Sequence, residues 1–232
     1  MGWVLSHLGD IWSLTVSHIG LTVPAIVAGF VVSVPLGYWA SRNRAARAVL
    51  LTVGNILYTI PGLALVVLVP VTLGLALLNP LNVTVALLIY AVALLIRSAA
   101  DGFDAVPADA RQAATAQGFS AGQLFWRVEL PLAGPVLLAG VRVVSVSTVS
   151  LATVGALVGI PSLGSLFTDG FQRAFLLEAV VGLIGVLLLA AVFDVLLTLL
   201  GRLLMPWTRS GLRGRAHARI EALPVKNADQ VV

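Results

Sequence analysis

Few residues in this chain could make or break a bond. It has no cysteine, and its three histidines stand apart at 7, 18 and 217, which excludes thiol catalysis and gives a structural zinc site no support. No Gly-x4-Gly-Lys-Ser/Thr loop, His-Glu-x-x-His pair or Gly-x-Ser-x-Gly elbow occurs, so the local signatures of nucleotide, zinc-hydrolase and serine-hydrolase chemistry are missing. The sequence points to no catalytic residue, no metal ligand and no cofactor. What remains are polar groups inside apolar runs: Asn55, Tyr58 and Thr59 beside Pro61, the hydroxyls of Ser145 and Thr148, and the opposite charges Arg142 and Asp194. Such groups can bond a passing solute or one another. They do not supply a reaction.

The elements that must position them follow from composition. At 232 residues, 59% hydrophobic and 10% charged, the chain is too apolar for a soluble domain and suits one polytopic all-α membrane domain, with the lipid bilayer as its first partner. Its net charge of +4 lies beside apolar runs, where basic residues orient spans, so no nucleic-acid partner is expected.

Five spans are read, at 19–39, 49–73, 83–100, 133–158 and 175–204. The first is about 30 Å long at 1.5 Å per residue, which matches a bilayer core. Residues 1–18 place Trp3, Trp12, Leu5, Leu8, Ile11 and Leu14 along one side of a helix and are expected to form a separate segment at the membrane surface. No Lys or Arg precedes Arg42, so this segment is not read as a cleaved signal. The short loop with Arg42, Arg44 and Arg47 marks the inner side, and twelve of the 14 Lys and Arg residues fall there. The N-terminus is therefore expected outside, and the basic tail 205–232 in the cytoplasm. Pro61 should break the second span where Asn55, Tyr58 and Thr59 offer polar groups, a place suited to a transport pathway, and Ser145 and Thr148 are expected to line the same route. Arg142 and Asp194 fall at a common depth, on the order of 12 to 15 Å from the inner boundary, which predicts an ion pair facing the bundle interior and tying the fourth span to the fifth. Contact of Asp194 with a cationic solute is the rival reading.

The one long polar passage, 104–131, interrupts this pattern. Val106-Pro107 suits a helix start, Ala108 to Gln117 favour a helix, and Gly118 suits its left-handed end. Ser120 and Gln123 form a capping box for a second short helix, which Leu130-Pro131 should end. Two short helices hinged at a glycine result, with Ala113 and Ala114 leaving a low surface for a partner.

Gln112-Ala113-Ala114, three residues, Gly118, nine residues, then Val128-Glu129-Leu130-Pro131 resembles the Glu-Ala-Ala loop of permease subunits in binding-protein-dependent ABC importers. Gln112 stands where that motif has Glu. The resemblance implies a type I importer permease core at 19–204 in a bacterial inner membrane. It also implies that Arg111, Gln112, Ala113, Ala114, Gly118, Leu130 and Pro131 couple to an ABC ATPase subunit. Asn55-Ile-Leu-Tyr-Thr-Ile-Pro-Gly-Leu-Ala-Leu65, His18-x-x-Leu-Thr22, Val34-Pro-Leu-Gly37 and Gly159-x-x-x-Leu-Gly164 are similar to the branch that carries quaternary-ammonium osmoprotectants. That branch implies glycine betaine, choline or carnitine as cargo, delivered by an extracytoplasmic substrate-binding protein, and a second permease copy or paralogue to complete the route. An ion-coupled secondary transporter, or a permease for another small polar solute, is the alternative.

Overall fold

The computed structural model of the chain describes residues 2–209, so Arg213, Arg215, Arg219 and Lys226 of the expected inner tail lie outside the described residues. Among the described residues every regular element is helical. In order these are α1 (Gly2–Ser6), α2 (Leu8–Arg42), α3 (Arg44–Thr59), α4 (Gly62–Leu73), α5 (Pro80–Asp104), α6 (Ala108–Ala116), α7 (Ala121–Leu124), α8 (Leu130–Ala152), α9 (Ser165–Gln172) and α10 (Leu176–Leu204). A π turn, Phe125–Glu129, joins α7 to α8, and a 3-10 stretch, Thr153–Val158, extends α8.

Four helical stretches are long and apolar enough to cross a membrane, and α3 with α4 makes a fifth if the bent pair counts as one span. The five expected spans are all represented. The boundary expected at residue 18 is not a break, because α2 runs unbroken through 35 residues, about 50 Å. No proline stands between Leu8 and Pro24, so the apolar stripe from Leu8 onward and the span form one rod. α3 starts on Asn43, whose side chain accepts bonds from the Ala45 and Ala46 amides at 2.9 and 3.1 Å. α5 starts in the same way, with Asn79 accepting from the Leu81 amide at 3.0 Å and Pro80 at the first helical position.

α5 is the centre of the bundle. Of its most apolar stretch 56% is buried, against 11% for α10, and it packs on α2, α3, α4 and α8. The α2–α5 contact is close because small residues face each other there: a Cβ added at Gly37 would lie 2.8 Å from the Ala100 backbone nitrogen. Leu21, Leu65, Val66 and Leu87 fill the core at one end of α5, and Val34, Ala99, Phe103 and Leu137 at the other. His18 is fully buried and its Nε2 lies 2.9 Å from the Val149 carbonyl oxygen, a strut from α2 to α8.

The chain does not end a helix at Leu130-Pro131, as the sequence reading expected. It stays helical from Ala121 to Val158. The π turn explains this: the Leu130 amide donates to the Phe125 carbonyl five residues back, and the widened turn relieves the clash that the Pro131 ring would make in a regular helix.

Candidate functional site

The polar loop forms the two expected helices. α6 starts after Pro107, Gly118 adopts φ 81°, and the Ser120–Gln123 capping box is complete, with both reciprocal bonds made. Nothing lies within 4 Å of a Cβ built at Gly118, so its left-handed backbone is what calls for glycine there.

The faces of these helices divide the predicted residues. Gln112, Ala113 and Gly118 are exposed, whereas Ala114 is 5% exposed and packs into its own chain. Arg111 turns inward: its Nε donates to Glu129 Oε1 at 2.8 Å and its Nη2 to the Phe103 carbonyl at 2.5 Å. Leu130 and Pro131 are half-buried in the opening turn of α8. Trp126, which the sequence reading did not single out, is 67% exposed beside the loop. The sequence held no signal to separate it from its neighbour Phe125, an aromatic of the same loop that packs inward.

Glu129 is the residue on which this end of the molecule converges. It is fully buried, and it accepts from Arg42 at the end of α2 as well as from Arg111 of α6. Its Oε2 has no hydrogen-bond partner among the described residues. Around it Tyr38, Phe103 and Phe125 form an aromatic triangle with centroids 4.9 to 5.8 Å apart, and the Arg42 guanidinium sits 5.2 Å from the Tyr38 ring centre. Nearby, Arg47 of α3 bonds Asp101 at 2.6 Å and Asp104 at 2.5 Å, fixing α3 to the end of α5.

The broken span is the second candidate region. α3 and α4 meet at 105° across Ile60-Pro61, and the Tyr90 hydroxyl donates to the Ile60 carbonyl that the break sets free. Tyr58 stacks edge-on against Tyr90 with centroids 5.9 Å apart. Asn55, Tyr58, Thr59 and Pro61 are exposed. Ser145 and Thr148 do not join them: they are 1% and 3% exposed, and the Ser145 hydroxyl donates to the Val141 carbonyl at 2.8 Å. The expectation rested on their polarity, but a hydroxyl that bonds its own helix turn, as that of Ser145 does, can be enclosed without a solute.

Arg142 and Asp194 are brought together. The guanidinium grips the carboxylate through Nε–Oδ1 at 2.6 Å and Nη2–Oδ2 at 2.8 Å, joining α8 to α10. Their side chains are 41% and 35% exposed, so the pair sits at the rim of the chain rather than in the bundle interior. The peripheral place of α10 accounts for the difference. Among the described residues no group of three His, Cys, Asp or Glu side chains could hold a metal ion.

Comparison with known proteins gives this geometry a context. The chain is 30% identical over 191 residues to the glycine betaine/proline betaine transport system permease protein ProW of Escherichia coli (strain K12), covering 82% of this chain and 53% of that one. It therefore spans about half the length of the first curated relatives it matches. It is 28% identical to the osmoprotectant import permease protein OsmW of Salmonella typhimurium, over 91% of this chain and 98% of that one. The choline transport system permease protein OpuBB of Bacillus subtilis is 28% identical over 85% of this chain and 90% of that one. Among solved structures, the MetNI methionine ABC transporter in inward-facing conformations superposes with a TM-score of 0.65 at 22% identity, over 88% of this chain and 96% of that one. An amino acid ABC transporter gives 0.67 at 16% identity, over 86% and 96%. These structures establish the fold, that of a type I ABC importer permease. The family model of the binding-protein-dependent transport system inner membrane component matches residues 33–210, and the chain belongs to that family.

Proposed function

We propose that the chain is the membrane-spanning permease subunit of an ATP-driven importer, moving a small compatible solute such as glycine betaine, choline or carnitine. The observation that carries this reading is the polar loop. A nine-residue helix, a glycine hinge and a capped second helix present Gln112, Ala113 and Trp126 beyond the inner ends of α5 and α8. Small side chains allow close approach, and an exposed aromatic supplies an anchor, which suits insertion into a groove on a separate subunit. We place ATP hydrolysis in that subunit, an ABC ATPase, and assign this chain no catalytic residue.

Relatives named for glycine betaine, osmoprotectants and choline support a quaternary-ammonium cargo brought by an extracytoplasmic binding protein. The exposed side of the broken span, at Asn55, Tyr58, Thr59 and Pro61, is the proposed route, where the Tyr58 ring offers a weak cation–π contact. A second permease copy or a paralogue encloses the other side. Clustering of Arg42, Arg47, Arg111 and Arg127 at the loop end supports a cytoplasmic loop and C-terminus with the N-terminus outside. Ion-driven transport is disfavoured because both acids of α10 already face an arginine: Asp194 is bonded by Arg142, and Glu178 lies 3.9 Å from Arg173.

The test is purification of the tagged chain from its own membrane in mild detergent. Co-purification of an ATP-binding subunit, lost when Ala113 is replaced by arginine, is the expected result. A chain that purifies alone at full yield contradicts the reading.

A further inference from the structure

Burying the carboxylate of Glu129 is costly unless it is paired, and the pairing here is unusual in its reach. Arg42 is the last residue of α2, Arg111 lies in the first turns of α6, and Glu129 closes the π turn that opens α8. Through the second nitrogen of Arg111, the same cluster takes hold of the Phe103 carbonyl near the end of α5. One carboxylate thus ties four elements. Apart from this tie and the packing of Ala114, α6 is held by its chain connections alone, Ala105–Pro107 on one side and the open Gly118 turn on the other.

We propose that Glu129 is a positioning residue: its ion pairs to Arg111 and Arg42 pin α6 to the inner ends of α2, α5 and α8. A displacement of α6 is then carried into the spans instead of being absorbed at Gly118. The inference rests on the reading of the loop as the docking site of an ATP-hydrolysing subunit. The π turn gives the pin a place to act. It holds one residue more than an α turn would, so its conversion to α geometry would rotate α8 relative to the loop by about 100°, one residue's worth. The aromatic triangle of Tyr38, Phe103 and Phe125 backs the pin with rigid surface, so strain on Arg111 passes to the helices behind it. Arg is required at 111 because one guanidinium must reach both Glu129 and the Phe103 carbonyl, which a lysine ammonium on its single point cannot do in the same geometry.

The experiment is amide hydrogen exchange on the full chain in lipid nanodiscs, followed by solute-stimulated ATP hydrolysis of the assembled transporter, for Glu129→Gln. Exchange in α6 should rise about tenfold while α5 stays at the wild-type rate, and stimulation should fall about tenfold. The double variant Arg111→Gln with Glu129→Gln should lose less than the sum of the two single variants, because both remove the shared Arg111–Glu129 bond. Unchanged exchange in α6 overturns the proposal, and so does an equal rise in α5, which would make Glu129 a general structural group. If Glu129→Gln fails to insert, Arg111→Lys keeps the charge and breaks the bridge, and carries the same two outcomes. Should the wild-type chain bind no ATP-hydrolysing subunit, the docking reading fails, while the exchange result still decides whether Glu129 fixes α6.

Discussion

Arg142 and Asp194 meet fork to fork, with two parallel bonds of 2.6 and 2.8 Å that join α8 to the otherwise lightly packed α10. A bidentate guanidinium–carboxylate pair neutralises two charges that hydrocarbon would not tolerate separately. Reversing either charge alone, as Arg142→Asp or Asp194→Arg, should lower membrane-inserted protein about tenfold, and the double exchange should recover part of it. Immunoblotting of membrane fractions reads this directly. A double exchange no better than the worse single, together with an Asp194→Asn variant that inserts normally and loses only uptake, would show that Asp194 serves the solute.

The α2–α5 contact makes Gly37 sensitive to size. A valine there should cost about 1–3 kcal/mol, since its Cβ meets the Ala99 Cβ and the Ala100 backbone, neither of which can rotate away. Gly20→Ala, with nothing within 4 Å of the new Cβ, is the control and should leave thermal stability in detergent at or above the wild-type value. Equal melting of the two variants would contradict the packing argument.

At the broken span, Tyr90→Phe removes the donor that satisfies the Ile60 carbonyl. The expected loss is about 1 kcal/mol. Because the break itself is set by Pro61, the fold should persist and the loosening should be local, seen as faster labelling of a cysteine placed at Thr59.

The chain has no cysteine of its own, so single cysteines can map the route. Positions 55, 58, 59 and 61 should react with a water-soluble thiol reagent in at least one nucleotide state of the assembled transporter. Positions 145 and 148 should stay protected in the conformation described here, in which both residues are enclosed. Protection of all four positions at the break in every state would remove them from the pathway.

The two alanines of the loop should respond differently. Ala113→Arg places a bulky charge on the exposed face and should cut association with the ATPase to less than about a tenth while the chain inserts normally. Ala114→Arg drives the same group into the chain's own packing and should reduce insertion as well.

Much of this was legible in the sequence because its signals are local. Pro107, Gly118 and the Ser120–Gln123 pair each fix the backbone within a turn, so the loop's shape could be read residue by residue. The Arg142–Asp194 pair was legible for another reason, since depth in a bilayer follows from residue count alone. What could not be read is which way a side chain turns once helices pack. Arg111 and Gln112 are neighbours of similar polarity, yet one is drawn inward by Glu129 and the other left exposed. Ser145 and Thr148 have the polarity of route-lining residues but are enclosed by their neighbours. Glu129 sat unnoticed at a variable position of the resembled motif, because its importance lies in partners 18 and 87 residues away.

The central claim is that this chain passes a quaternary-ammonium solute under the control of a separate ATPase. Its most direct test is ATP hydrolysis by the permease co-purified with its ATPase in lipid nanodiscs, measured with the binding protein and with glycine betaine, choline or carnitine in turn. The account predicts that at least one of these solutes raises hydrolysis several-fold over the binding protein alone, and that Ala113→Arg abolishes the rise. Hydrolysis that no such solute stimulates, in a complex that retains all its subunits, would contradict it.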